Sequence, residues 1–417
     1  MISGPLVLLT ISNKMTSGEI AFYYTFFSVL AVQQVLEMGV GFTLKQYIAH
    51  AFKMDENGWV EESKSTIKGI FDFSIKWYFA ISIFIFLGVG YFGVHFFSTI
   101  ESDVDWKSPW KLLIALTAIF VNLIPFQLII EGCQDQIVLY RSQLISSVIN
   151  SVILVISITA GLGLYSIAIS VATSNFILYF LLYTSVKDKY EGFLSLKSKS
   201  TFKSIFDLIW PMLSKLSITW VLGYFFWNSF NLVSIKELPL ELAGKFALTL
   251  SFALAGYNIV SVVVNSQTTI FSAYISSGEL KKALVIFNRS NFISIVILIS
   301  GYGLYFLLSI FTPDFYIFNK TLSLEYTLYI FVYFLLLLPV TNQANFARCL
   351  KKEPYFYLSL CSNLTVPIAF YLVCTIKNEP DFKFLIFLSI CFFIWSTYIF
   401  NNAVKRLVST DDESLII

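Results

Sequence analysis

Residues 110–130 read Trp110-KLLIALTAIFVNLIPFQLI-Ile130, and no charged residue follows Lys111 in that stretch. A helix needs about 20 residues to cross the roughly 30 Å apolar core of a bilayer, so this segment has the length and composition of one crossing. Comparable stretches recur over the whole chain, at about 1–12, 18–40, 75–97, 143–162, 164–186, 205–230, 243–270, 290–311, 325–346, 355–376 and 384–404. Each is too long and too continuously apolar for a barrel strand, which alternates and needs only about ten residues. Backbone polar groups in lipid must be satisfied within the protein, which leaves helices. The composition agrees: 57% of the 417 residues are hydrophobic and 13% are charged, whereas soluble domains carry about 25% charged residues. The expected fold is an all-α integral membrane protein, with about twelve transmembrane helices in two six-helix bundles around a central cavity.

The longest polar stretches, roughly Leu44–Phe71 and Val186–Phe202, are loop-sized. Lys and Arg set the orientation. With both termini cytoplasmic, nineteen of the 28 fall on the inner side and eight on the outer side, with Lys215 inside a span. Pro5, Pro125, Pro211 and Pro339 fall in spans 1, 4, 7 and 10, separated by 120 and 128 residues within the two halves. Proline frees a backbone carbonyl and kinks a helix, and matched kinks suggest the internal repeat common in transporters. The expected organisation is a first bundle over 1–186, a cytoplasmic linker over 187–204, and a second bundle with a short cytoplasmic tail over 205–417. The first apolar run is only about eleven residues before Asn13, so a truncated first helix is expected. A secretory signal peptide is not, because no basic n-region or cleavage site is present.

Lys215 is the strongest single signal. It lies four residues after Pro211 in WPMLSKLSITWVLGYFF. A cation near mid-bilayer costs about 2.5–3.5 kcal/mol on insertion scales, so it should face a wet cavity or a partner. The functional reading is a contact with an anionic substrate group; the competing one is snorkelling to the interface. Glu37 closes span 2 in QQVLEMGVG, where Gln33 shares its helix face and Gln34 is adjacent. It is the candidate for coupling to a cation, against a reading as a rim carboxylate beside Lys45. Glu131 ends span 4 at the rim. Amides recur inside spans, among them Asn122, Gln127, Asn265, Gln267, Asn342, Gln343 and Asn345. Any one of them serves readily as helix glue. Together they suit a hydrated path for sugar hydroxyls, with Gln34, Asn122, Asn265 and Gln267 as substrate contacts. Trp106 and Trp110 read as an interfacial belt, and the GVG runs at 39–41 and 88–90 as close helix packing.

Five cysteines without CxxC spacing and two histidines support neither a disulfide framework nor a metal site. No phosphate-cradling loop, nucleophile elbow or nucleic-acid module is present, so no cofactor, no enzymatic activity and no nucleic-acid partner are expected.

Several segments resemble the O-antigen flippases of the Wzx type, in family order along nearly the whole chain. WPMLSKLSITWVLGYFFWNSFN followed by LAGKFALTLSFALAGYNIVSVVVNSQTTIFSAYISSGELKKAL is similar to their helices 7 and 8. PFQLIIEGCQDQIVLYRSQL is similar to their helix 4–5 turn, NFARCLKKEPYFYLSL to their helix 10–11 turn, and LEMGVGFTLKQYIA to their helix 2 exit. The resemblance implies the polysaccharide branch of the multidrug/oligosaccharidyl-lipid/polysaccharide exporter superfamily. It implies transfer of an undecaprenyl-diphosphate-linked oligosaccharide from the inner to the outer leaflet of a bacterial cytoplasmic (inner) membrane by alternating access. An O-antigen polymerase and a chain-length regulator are the protein partners it implies, alongside membrane lipid. Lys215 matches a position that is usually basic in that family, commonly Arg; Lys lacks the bidentate fork of Arg. Lys245, nearer the outer mouth, is the second cation expected to hold the diphosphate. The rival readings are a drug/cation antiporter of the same superfamily, which would want deep carboxylates, and a polymerase-type membrane enzyme, which would want a large basic outer loop.

Overall fold

The computed structural model describes residues 3–37, 39–56, 58–187, 189–196, 201–350 and 354–414, with side chains at 3, 58, 212, 215, 216, 219 and 405–414 outside the described set. The chain divides into two compact units, Ile2–Asn228 and Ser229–Ile417.

The first unit begins with α1 (Ser3–Lys14), then α2 (Ser17–Leu30), α3 (Val32–Glu37) and α4 (Val40–Ala51). A two-stranded hairpin, β1 (Met54–Asp55) and β2 (Gly58–Trp59), leads to α5 (Glu61–Phe84), a π-helical turn (Ile85–Val89) and α6 (Gly90–Ser98). Next come α7 (Lys107–Val121), α8 (Ile124–Gly132), α9 (Gln136–Thr159) and α10 (Tyr165–Val186). A 3-10 turn (Phe193–Ser195) precedes α11 (Phe202–Glu237), a single 36-residue helix. The second unit holds the end of α11, then α12 (Leu240–Asn265), α13 (Thr268–Ser276), α14 (Leu280–Phe311), α15 (Tyr316–Lys320), α16 (Leu324–Cys349), α17 (Phe356–Lys377) and α18 (Lys383–Ser414).

Ten stretches among the described residues are long and apolar enough to cross a membrane. With α1 and α11, each of the twelve expected spans is helical, and the protein is a multi-pass, all-α membrane protein. The division between units falls inside α11, whereas the sequence reading put the break at 187–204. The first half of α11 packs on the first unit, with Phe202 on Phe73 at 4.6 Å and the Tyr224 hydroxyl donating to Ser28 O at 3.1 Å. Its end packs on the second, with Phe230 against Phe370 at 5.0 Å and Phe382 at 5.6 Å.

Span 2 runs on past its expected end. After α3 the chain turns at Gly39, whose φ of 80° is a conformation other residues avoid. It then resumes as α4 inside the stretch read as the Leu44–Phe71 loop. Val40, Leu44 and Ile48 recur at every fourth position and are all buried. Burying that stripe overrides the polarity of the intervening residues. Span 3 likewise starts at Glu61 and not near residue 75.

The prolines take two kinds of position. Pro125 opens α8 after a break at Asn122–Leu123, where a missing N–H costs nothing. Pro211 and Pro339 sit inside helices that continue through them. Trp110 is also corrected: it is fully buried, and its indole N–H donates to Gly90 O at 3.2 Å. A Cβ on Gly93 would lie 2.2 Å from that ring, so only glycine admits the contact. Aromatic packing wins here because a Trp body hides a large apolar area once its N–H is paired. The GVG runs do pack closely: a Cβ on Gly41 would meet the Tyr78 hydroxyl at 2.7 Å, and one on Gly90 would meet Ile114 at 3.1 Å.

Candidate functional site

Polar groups inside apolar helices are expensive unless paired, so the informative ones are those the fold keeps despite the cost. In the first unit, Glu37 ends the six-residue α3. Its Oε1 accepts a hydrogen bond from Gln33 Nε2 at 2.8 Å, the i, i+4 pairing expected from the sequence. Gln34 points elsewhere and is exposed. Tyr78 of α5 interacts electrostatically with Glu37 and with Tyr179 of α10, and its buried hydroxyl has no hydrogen-bond partner among the described residues. Tyr179 accepts from Gln127 Nε2 at 2.6 Å, and Gln127 Oε1 accepts from Gln143 Nε2 at 3.2 Å. A half-buried carboxyl thus lies near the buried Tyr78 hydroxyl, with half-buried Tyr179, Gln127 and Gln143 beyond it. Such a set can hold and exchange a proton.

Asn122 binds within its own unit. Its Nδ2 donates to Ser82 Oγ at 2.8 Å and to Ala118 O at 2.7 Å, tying α7 to α5. Two lysines of this unit are held by carboxylates. Lys45 of α4 lies 2.7 Å from Glu131 of α8, and Lys68 pairs with Asp72 one turn along α5. Sequence reading had placed Lys68 in a loop; it is buried at 7% exposure within the helix.

In the second unit, the α12–α13 break brings Asn265 and Gln267 together. Asn265 Oδ1 accepts from Asn345 Nδ2 at 2.6 Å, and Asn345 Oδ1 accepts from Arg348 Nη1 at 3.0 Å. Asn345 and Arg348 were not singled out as a pair, although TNQANFAR places them three apart on α16, on one helix face. Asn265 and Arg348 are exposed, and Asn345 and Gln267 are half-buried. Lys245 lies 20 residues earlier on α12, roughly 30 Å away at 1.5 Å per residue. Its Nζ is 2.8 Å from Glu241. The structure therefore does not bring Lys245 to the Asn265 end of the span.

Lys215 lies within α11, and its side chain is outside the described residues. Its helical context is defined: the positions three and four away are Pro211, Met212, Ile218 and Thr219, none of them acidic. Lys68 and Lys245, by contrast, each carry a carboxylate one turn away. Among the described residues no group of three or more His, Cys, Asp or Glu is placed to hold a metal ion.

No model of a known protein family matches the chain, and no curated protein matches it. Solved structures do. An inward-facing multidrug resistance MATE family transporter of the MOP superfamily superposes with a TM-score of 0.74 at 12% identity, covering 98% of this chain and 95% of that one. An outward-facing multidrug resistance MATE family transporter of the same superfamily gives 0.58 at 11%, covering 98% and 92%. A MOP superfamily transporter from Pyrococcus furiosus, described as having a binding pocket of reverse polarity that suggests a different function, gives 0.59 at 12%, covering 98% and 94%. At such identities the likeness establishes the fold: the chain has the fold of the MOP-superfamily transporters.

Proposed function

We propose that the protein is an alternating-access transporter whose cargo is anionic: an undecaprenyl-diphosphate-linked oligosaccharide, carried from the inner to the outer leaflet of a bacterial cytoplasmic membrane. The observation that carries this reading is the setting of Lys215. It stands inside a continuous helix with no acidic residue one turn to either side. A cation placed so within a bilayer calls for an anion from elsewhere, and a lipid diphosphate supplies one. The fold supports transport, and the resemblance of α11 to helix 7 of the Wzx-type flippases supports the cargo.

In this mechanism the diphosphate enters from the cytoplasmic side and is held by Lys215. Lys245 holds an ion pair with Glu241, so its part requires that pair to open. Gln34 and Gln267 offer amides to the glycan. The Asn265–Asn345–Arg348 relay adds a guanidinium, whose planar fork suits phosphate oxygens better than an ammonium does. Asn122 serves the packing of its own unit. Glu37, with the Tyr78 hydroxyl beside it, is the site for a counter-transported proton. The inside-negative potential favours moving an anion outward by about 2.3 kcal/mol per charge per 100 mV. Both termini lie in the cytoplasm.

The test is complementation in a host that lacks its own flippase. Lys215→Ala and Lys215→Glu should abolish surface polysaccharide while the protein accumulates normally. Surface polysaccharide at the unmutated level would remove Lys215 from the mechanism. Resistance to organic cations that survives Lys215→Ala but not Glu37→Gln would favour the drug/cation antiporter.

A further inference from the structure

The first unit contains a cavity of about 470 Å³, well inside the range of about 300–1,000 Å³ typical of ligand sites. Its walls come from α5, the α7–α8 break and α10, through Phe71, Leu123, Phe126 and Leu182, and its roof is Phe193 of the segment after α10. That roof is held in place. Phe193 stacks on Trp59 of the β-hairpin at 5.4 Å and 11° between planes. Lys189 Nζ and the Tyr190 hydroxyl both reach Asp135 Oδ2, at 2.6 and 3.0 Å. Burial pushes the neighbouring Cys133 thiol up to about 12, so it packs as a neutral group.

The mouth is different. Tyr183 and Leu194 there are 68% and 61% exposed. Tyr183 continues a stripe of exposed aromatic rings down α10, with Phe180 and Phe176 three and seven residues before it. In a membrane span such a stripe faces lipid, so the mouth is continuous with the lipid-facing surface. Two charges share the lip, Lys187 and Glu191, and neither is in an ion pair among the described residues. An apolar interior that opens sideways to lipid takes a hydrocarbon chain. A lip carrying one cation and one anion four residues apart takes a headgroup with both a phosphate and an ammonium.

We infer that this cavity binds one acyl chain of an aminophospholipid, with its phosphate at Lys187 and its ammonium at Glu191. The acyl chain lies under Phe193. This site is separate from Lys215 and does not depend on the nature of the cargo.

The test uses the full chain in nanodiscs of phosphatidylethanolamine with a diazirine at the acyl end, and cross-linked peptides are mapped by mass spectrometry. The expected result is labelling concentrated in residues 123–130 and 179–194. Leu182→Trp, which fills the cavity, should lose that labelling and keep the labelling of exposed α6 residues such as Tyr91. Because Leu182 is buried, the exposed charge swap Lys187→Glu with Glu191→Lys is a second probe. It should retain the fold and lose the preference for phosphatidylethanolamine over phosphatidylglycerol of the same chain. Labelling spread evenly over all lipid-facing helices would overturn the proposal, as would labelling unchanged in both variants. Displacement by undecaprenyl diphosphate but not by unlabelled phosphatidylethanolamine would also overturn it, since the occupant would then be the polyprenyl tail.

Discussion

The α2–α4 segment of the first unit and the α12–α13 segment of the second are both broken apolar helices. Each is broken once or more, at Ala31 and Gly39 in the first and at Ser266–Gln267 in the second. Their chemistry differs. The first carries a carboxyl, Glu37, and ends in the Lys45–Glu131 ion pair. The second carries only amides at its break and hands them to Arg348. One break thus carries a carboxyl and the other a neutral-to-basic set.

The largest expected effect of a single change lies in packing, which is tight around Gly93 in the first unit and open around Gly301 in the second. Gly93→Ala drives a methyl into the Trp110 ring and should cost about 1–3 kcal/mol, the range for overpacking. Gly301→Ala meets nothing within 4 Å on α14 and should stabilise by about 0.5–1 kcal/mol through helix propensity. Thermal unfolding of the two variants in detergent measures the contrast, and equal losses in both would erase the difference between the two sites.

Next comes the contrast between the two polar faces. Glu131→Gln leaves Lys45 without its partner. Lys45 is 32% exposed and Glu131 16%, so water screens part of the loss and about 1–2 kcal/mol is expected. Asn345→Leu removes an amide bridge between exposed groups and should cost under about 1 kcal/mol. It should reduce transport all the same, because Arg348 loses the acceptor that aims it. A transport defect in Glu131→Gln that exceeds the one in Asn345→Leu would remove the Asn265–Asn345–Arg348 set from the cargo path.

The smallest effect is a pH dependence in the loop before α18. Burial raises the Asp381 carboxyl, but the Lys377 ammonium at 2.5 Å and the Lys383 backbone N–H outweigh it and hold the carboxyl below the usual carboxylate range. A folded value below the unfolded one stabilises the protein at pH above the unfolded value of about 3.9, and that contribution is lost as pH falls through the folded value. Asp381→Asn should therefore be less stable than the parent at neutral pH and indistinguishable from it in strong acid. Chemical denaturation across that window reads the difference, and a gap that widens toward acid would contradict the sign.

Much of the fold was legible because the bilayer dictates it. The multi-span helical architecture followed from run length and composition, and ten of the described helices are long and apolar enough to cross. What the sequence hid was tertiary. α4 is helical because Val40, Leu44 and Ile48 are buried, which a polar stretch does not advertise. Trp110 resembles an interfacial anchor until Gly93 and Gly90 are seen to receive it. Of the candidate residues, the Gln33–Glu37 pair was readable from i, i+4 spacing. The Asn265–Asn345 bond joins residues 80 positions apart, and no local pattern reveals it. The commitment of Asn122 to Ser82 likewise depends on which helices meet.

The central claim, an anionic lipid-linked cargo held through Lys215, is tested most directly in vesicles reconstituted with the purified protein. The measurement is the leaflet-to-leaflet transfer of a fluorescent undecaprenyl-diphosphate oligosaccharide, read by quenching from the far side. Transfer by the parent chain and its loss in Lys215→Ala, with Lys215→Arg retaining it, is the predicted result. Transfer undiminished in Lys215→Ala, or no transfer by the parent while an organic cation is carried, would contradict the account.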